Sequence, residues 1–166
     1  MATHAQRRHV AHFLDFCAAH PSGLLYPAGD QRTNRDGISW HLTEKHFDRL
    51  LTGGGKWQGD CSEFGSYALK LAGLWPWPDP GYTGSHLRLL TDHYTDGKRA
   101  RTGALVVFGL DHDPTGVHEA VVWEPDQAGG DPVVASHGRP GFDKLRVSQF
   151  SGPEFAGHVY LSIQHL

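Results

Sequence analysis

Two scarcities bound this chain before any motif is read. Its 166 residues hold only two cysteines, Cys17 and Cys61, too few for a disulfide framework. No apolar run approaches the roughly 20 residues that a membrane-spanning helix needs, so membrane insertion is not expected. Neither sign of charge dominates: 15 Lys and Arg face 18 Asp and Glu, a net charge of −3 with histidines neutral. No basic stripe marks a nucleic-acid surface, and no basic amphipathic segment marks a lipid surface. Met1 to Arg8 is polar and lacks the apolar core and cleavage site of a secretory signal. That predicts synthesis in the cytoplasm without a signal peptide.

The length suits one domain spanning 1–166. Such a domain buries roughly two thirds of its unfolded surface, so it needs neither a disulfide nor a metal to fold. Histidine is abundant, at thirteen residues. The pairs His9/His12 and His41/His46 nevertheless come without the Cys or Glu partners of a zinc signature. No metal and no other cofactor is expected. The stretch Asp111-His112-Asp113 lacks the spaced oxygen ligands of a calcium loop and reads as a solvated turn.

Hydrophobic spacing divides the chain in two. The first part, to about residue 95, is helical and irregular. Val10, Phe13, Leu14 and Cys17 fall on one face of a helix over about 5–19, which makes Cys17 a buried hydrophobe. A Gly/Pro-rich loop runs from Tyr26 to Gly37, and a helix capped by Thr43 ends at Gly53-Gly54-Gly55. Phe64, Tyr67, Ala68, Leu71 and Leu74 predict a helix over about 61–73, and a short helix is predicted over 84–94. From about residue 100, apolar runs separated by turn signals predict strands at 104–108, 118–123, 132–136, 144–147 and 158–163. Short connections favour antiparallel pairing. Helices followed by strands give an α+β domain, with N-terminal helices packed on a C-terminal antiparallel sheet.

The most informative segment is Asp60-Cys61-Ser62-Glu63-Phe64. A thiol in the first turn of a helix lies near unpaired N–H groups and the positive end of the macrodipole. Both favour the nucleophilic thiolate. A cysteine nucleophile needs a base, and the base needs an orienting group. His118 opens an apolar strand and is the predicted base, at the sheet end facing the cysteine helix. His137 ends the next strand, close enough for a ring-to-ring hydrogen bond, and is the predicted orienting residue. Strand alternation sends Glu119 to the opposite face from His118, away from the cysteine helix. Trp57, Trp75 and Trp77 are candidates to line a cleft, with core or lid packing as the alternative for each.

Asp60-Cys61-Ser62-Glu63-Phe64, Gly103-Ala104-Leu105-Val106-Val107-Phe108, Val117-His118-Glu119-Ala120-Val121-Val122 and Ala135-Ser136-His137-Gly138 occur in an order that resembles the NlpC-like cysteine peptidases, papain-like hydrolases of bacterial cell walls. The resemblance covers about residues 53–138. The sequence is also similar to catalytic domains of lysins and tail-associated hydrolases from phages of actinobacteria. The resemblance implies a papain-like fold, Cys61 as nucleophile, His118 as base and His137 as orienting residue. It implies that Asp60 and Ser62 shape the substrate pocket, and that a tyrosine upstream of the cysteine, here Tyr26, lines it. Two positions depart from the family pattern: Ala104 replaces an Asp, and Glu119 replaces a small apolar residue.

By that analogy the substrate is peptidoglycan, cut at an amide of the stem peptide such as D-glutamyl to meso-diaminopimelate. The enzyme would reach the wall after release or as part of a virion, with a wall-binding domain or a holin or tail partner elsewhere. A CHAP-like amidase acting between sugar and peptide would use the same Cys and His. A non-catalytic phage-tail module and a zinc amidase built from the histidines are alternatives of other classes.

Overall fold

The computed structural model describes residues 2–26 and 57–162. Helix α1, His4–Ala19, starts at a capping box. The Thr3 hydroxyl accepts from the Gln6 N–H at 3.2 Å, and the Gln6 side chain accepts from the Thr3 N–H at 2.9 Å. The two contacts satisfy donors that the helix itself leaves unpaired. Its apolar stripe, Val10, Phe13, Leu14 and Cys17, is buried as the spacing predicts. Strand β1 (Leu24–Leu25) pairs in parallel with β2 (Trp57–Gln58), just ahead of helix α2, Cys61–Leu71. Helix α3 covers Thr83–Leu89.

The rest is a six-stranded antiparallel sheet in the order β3-β8-β4-β5-β6-β7. Its strands are β3 (Asp92–Tyr94), β4 (Leu105–Phe108), β5 (His118–Glu124), β6 (Val133–Gly138), β7 (Gly141–Arg146) and β8 (His158–Ser162). The chain is therefore α+β, with N-terminal helices packed against the sheet. The helix predicted over 84–94 is shorter than its pattern suggested. It stops at Leu89, and Asp92–Tyr94 adds an edge strand beside β8, where Tyr94 stacks on Tyr160 at 5.5 Å. The helix predicted from Thr43, the His41/His46 pair and the loop beyond Tyr26 lie outside the described residues.

Alternation along the strands splits the apolar side chains into two layers. Leu105, Val107, Val121, Trp123, Ala135, Val159 and Leu161 face α1 and α2 and form one core with Phe13, Leu14, Phe64 and Leu69. Val106, Phe108, Ala120, Val122, Val134 and Tyr160 face the other way and pack with Val147, Phe150 and Phe155. The face a residue occupies on β5 or β6 thus decides which chemistry it can join. Among the described residues no helix is long and apolar enough to cross a membrane.

Candidate active site

Cys61 occupies the first position of α2 because Asp60 caps that helix. One carboxylate oxygen, Oδ1, accepts from the Ser62 N–H at 2.9 Å, the Glu63 N–H at 3.0 Å and the Ser62 hydroxyl at 2.8 Å. Glu63 closes the box by accepting from the Asp60 N–H at 3.2 Å. A carboxylate cap of this kind stabilises a helix by about 0.5–2 kcal/mol. Asp60 and Ser62, both expected to shape the pocket, are first of all partners in this cap. Asp60 also reaches the cleft wall, whereas Ser62 is buried beneath it.

The Cys61 side chain is only 7% exposed. Its sulfur lies near the Tyr26 hydroxyl and the backbone N–H of Glu119. That N–H belongs to the peptide joining His118 to Glu119, so the thiol lies against the backbone of His118. The expected bias toward thiolate is reversed at rest. Burial pushes the thiol well above its ordinary range, and the nearby Asp60 and Glu119 carboxylates push it further. Here desolvation outweighs the helix terminus. Cys61 and Cys17 are both free thiols.

His118 and Glu119 occupy opposite faces, as alternation requires, but the assignment of faces is the reverse of the expectation. His118 packs on Phe108, Phe150 and Phe155, with ring centroids at 6.2, 5.7 and 6.0 Å, in the layer away from α2. Glu119 lies under α2, where a side chain at Gly65 would collide with its carboxylate. The start of β5 nevertheless lies by the first turn of α2, with the Glu119 N–H near the Cys61 sulfur.

The hydrogen bond of His118 also differs from the expected one. Its Nε2 pairs with Ser136 Oγ at 2.9 Å, not with His137. The register explains this. Ala120 pairs with Ser136 across β5 and β6, so Ser136 shares the face of His118, and His137 turns to the helix side. There His137 Nε2 bonds the carbonyl oxygens of Gly59 at 3.0 Å and Leu25 at 3.2 Å, and its ring packs against Phe64 and Tyr26. His137 fastens the segment ahead of Cys61 instead of orienting His118. Both imidazoles are held neutral. Burial lowers His118 to about 4, aided by His137, and burial also lowers His137 despite its two carbonyl partners.

A cleft of about 700 Å³ opens beside His118, lined by His118, Ser136, Tyr26, Asp60, Arg139 and Phe150 among others, and Cys61 itself is not part of its lining. Tyr26 thus lines the cleft and lies near the thiol. The sequence resemblance implied its place, but no spacing did. Trp57 is placed through its backbone alone, in β2 opposite Leu24. Trp75 is core, donating Nε1–H to the Asp79 carbonyl at 2.9 Å and packing on Trp77. Ser136 is the residue that sequence reasoning passed over. The signal was strand parity, which excludes adjacent residues 136 and 137 from the same face.

Among the described residues no group of three or more His, Cys, Asp or Glu side chains could hold a metal ion. Asp113 Oδ1 accepts from the Thr115 N–H at 2.8 Å and hydroxyl at 2.7 Å, shaping the turn before β5. Comparison with known proteins gave no match to any protein-family model, any curated protein or any solved structure.

Proposed function

We propose that this protein is a papain-like thiol hydrolase that cleaves an amide bond, with Cys61 as nucleophile, His118 as base and Ser136 as the residue orienting the base. The observation that carries the reading is His118, buried and tied through Nε2 to Ser136, at the start of the strand whose Glu119 N–H lies near the Cys61 sulfur. That tie leaves His118 Nδ1 without a hydrogen bond among the described residues. It is the atom able to take the thiol proton.

The resting pair is neutral thiol and neutral imidazole, so ionisation belongs to the attack step. Catalytic hydrogen bonds often close only in the substrate complex. His118 Nδ1 takes the Cys61 proton as sulfur bonds to the amide carbon. The Asp60 cap uses the N–H groups of Ser62 and Glu63 and leaves that of Cys61 for the oxyanion. Collapse breaks the C–N bond, and His118 returns its proton to the leaving amine. Water then adds to the thioester, its proton passing through His118, and the acid leaves with the thiol restored.

The substrate class rests on the sequence resemblance over about residues 53–138, which favours a stem-peptide amide of peptidoglycan. Digestion of actinobacterial peptidoglycan, read by mass spectrometry, tests it. Wild type should release new fragments and Cys61→Ala none. Fragment masses separate a cut within the stem peptide from one at the sugar–peptide link. Fragments from both proteins would exclude the thiol mechanism.

A further inference from the structure

The hydrogen bond between His118 Nε2 and Ser136 Oγ, 2.9 Å long, can run in either direction, and the two directions give different histidines. A hydroxyl has one proton to give. If Ser136 gives it to Nε2, the ring proton of neutral His118 sits on Nδ1, and that nitrogen cannot take the thiol proton. If Ser136 gives it elsewhere, Nε2 carries the ring proton, donates it to Oγ and leaves Nδ1 bare. The aim of one hydroxyl therefore decides whether His118 is a base toward Cys61.

The sheet register identifies an acceptor for that hydroxyl. Ser136 stands directly opposite Ala120 on β5 and Asp143 on β7. Side chains in such positions share a face, with Cβ atoms about 4.5–5.5 Å apart. The diagonal neighbours of Ser136 are His118 and Val122 on β5, and Gly141 and Leu145 on β7. Of these six cross-strand neighbours only His118 and Asp143 carry a polar side chain. Among the described residues Ser136 Oγ makes no hydrogen bond besides the one to His118, and the Asp143 carboxylate makes no hydrogen bond or ion pair. All three residues line the same cleft. Ser136 is buried and Asp143 is exposed, so a change of rotamer at Asp143 brings its carboxylate to the hydroxyl without disturbing the sheet. The other charged side chains of the cleft, Asp60, Arg139 and Glu154, come from the segment ahead of α2, the β6–β7 turn and the segment ahead of β8, none of them a register neighbour of Ser136.

We propose that Asp143 is a positioning residue that sets the tautomer of His118: its carboxylate accepts the Ser136 O–H, Ser136 Oγ accepts the His118 Nε2–H, and Nδ1 is left bare for the Cys61 proton. No proton leaves Ser136. When His118 takes the thiol proton, the same row presents a carboxylate at its far end to the imidazolium. The purpose of this row rests on the thiol-hydrolase reading, but the tautomer is a property of the resting chain.

The test is long-range proton–nitrogen NMR of the imidazoles at neutral pH, which tells the two tautomers apart. The His118 signals are those missing from His118→Asn. Wild type should carry the ring proton on Nε2, and a proton on Nδ1 overturns the proposal whatever becomes of the variants. In Asp143→Ala most of the population should move the proton to Nδ1, and peptidoglycan digestion should slow by at least about 10-fold, because the wrong tautomer has no lone pair at the reacting nitrogen. Asp143→Asn, whose amide oxygen still accepts, should keep the wild-type form. In Ser136→Ala, the further change Asp143→Ala should leave the His118 signals where they were. An Asp143→Ala spectrum like that of wild type, or an equal change in the absence of Ser136, overturns the proposal. The predicted tautomer shift in a chain that leaves peptidoglycan intact supports the row and rejects the hydrolase reading. Peptidoglycan digestion with no tautomer shift does the reverse.

Discussion

His118 Nε2 and Ser136 Oγ lie 2.9 Å apart on the face of the sheet turned away from helix α2. This contact fixes which nitrogen of His118 remains available, and it divides the two histidines of the sequence pattern between different tasks.

Ser136→Ala should therefore lower kcat by about 10- to 100-fold, the scale of misplacing a catalytic group, with a melting temperature close to wild type. His137→Ala should do the opposite in emphasis. It removes the ring that bonds the Gly59 carbonyl and shares the Leu25 carbonyl with the Gly59 N–H, at about 1–3 kcal/mol. Thermal melts and steady-state kinetics on the same preparations separate the two.

The thiols are also distinguishable. Cys17 is buried in the core between α1 and the sheet, and Cys17→Ala should retain hydrolysis while losing some stability. Cys61→Ala should abolish hydrolysis with the fold kept. Activity and circular dichroism of both variants check this.

Acid should weaken the fold through His118. Its folded-state value, about 4, lies below the ordinary value of about 6.5. The unfolded chain thus binds the proton first. The contribution is fully present above about pH 6.5 and is lost as pH falls toward 4, up to about 3 kcal/mol. Urea unfolding at pH 7 and pH 4.5 should show a larger loss for wild type than for His118→Asn.

Gly65→Ala should destabilise the chain by about 1–3 kcal/mol, the usual range for overpacking, because the added methyl meets the Glu119 carboxylate. The cost of Gly65→Ala should be smaller in a Glu119→Gly background, where that side chain is gone. Chemical denaturation of the single and double variants gives the coupling.

The α+β division was legible because the periods of three to four and of two are local properties. Val10, Phe13, Leu14 and Cys17 could bury only as one helix stripe, and the strand cores at 105–108 and 118–123 could only be buried strands. The start of α2 was legible from Asp60 and Glu63, whose side chains make the capping box. Which face of β5 meets the helix was not legible, because alternation fixes relative faces and says nothing of absolute ones. That single binary choice placed Glu119 under α2, while the pairing of Ala120 with Ser136 made Ser136, and not His137, the partner of His118. The thiol's raised pKa was equally hidden, since burial and the approach of Glu119 depend on contacts distant in sequence.

The most direct test of the central claim needs no knowledge of the substrate. Wild type and His118→Ala are treated with an electrophilic peptide-like thiol reagent at neutral pH, and modification of each cysteine is followed by mass spectrometry. Labelling of Cys61 in preference to Cys17, slowed by at least about 100-fold in His118→Ala as expected for loss of a general base, is the predicted result. Equal labelling of Cys61 in both proteins would contradict a Cys61–His118 catalytic centre.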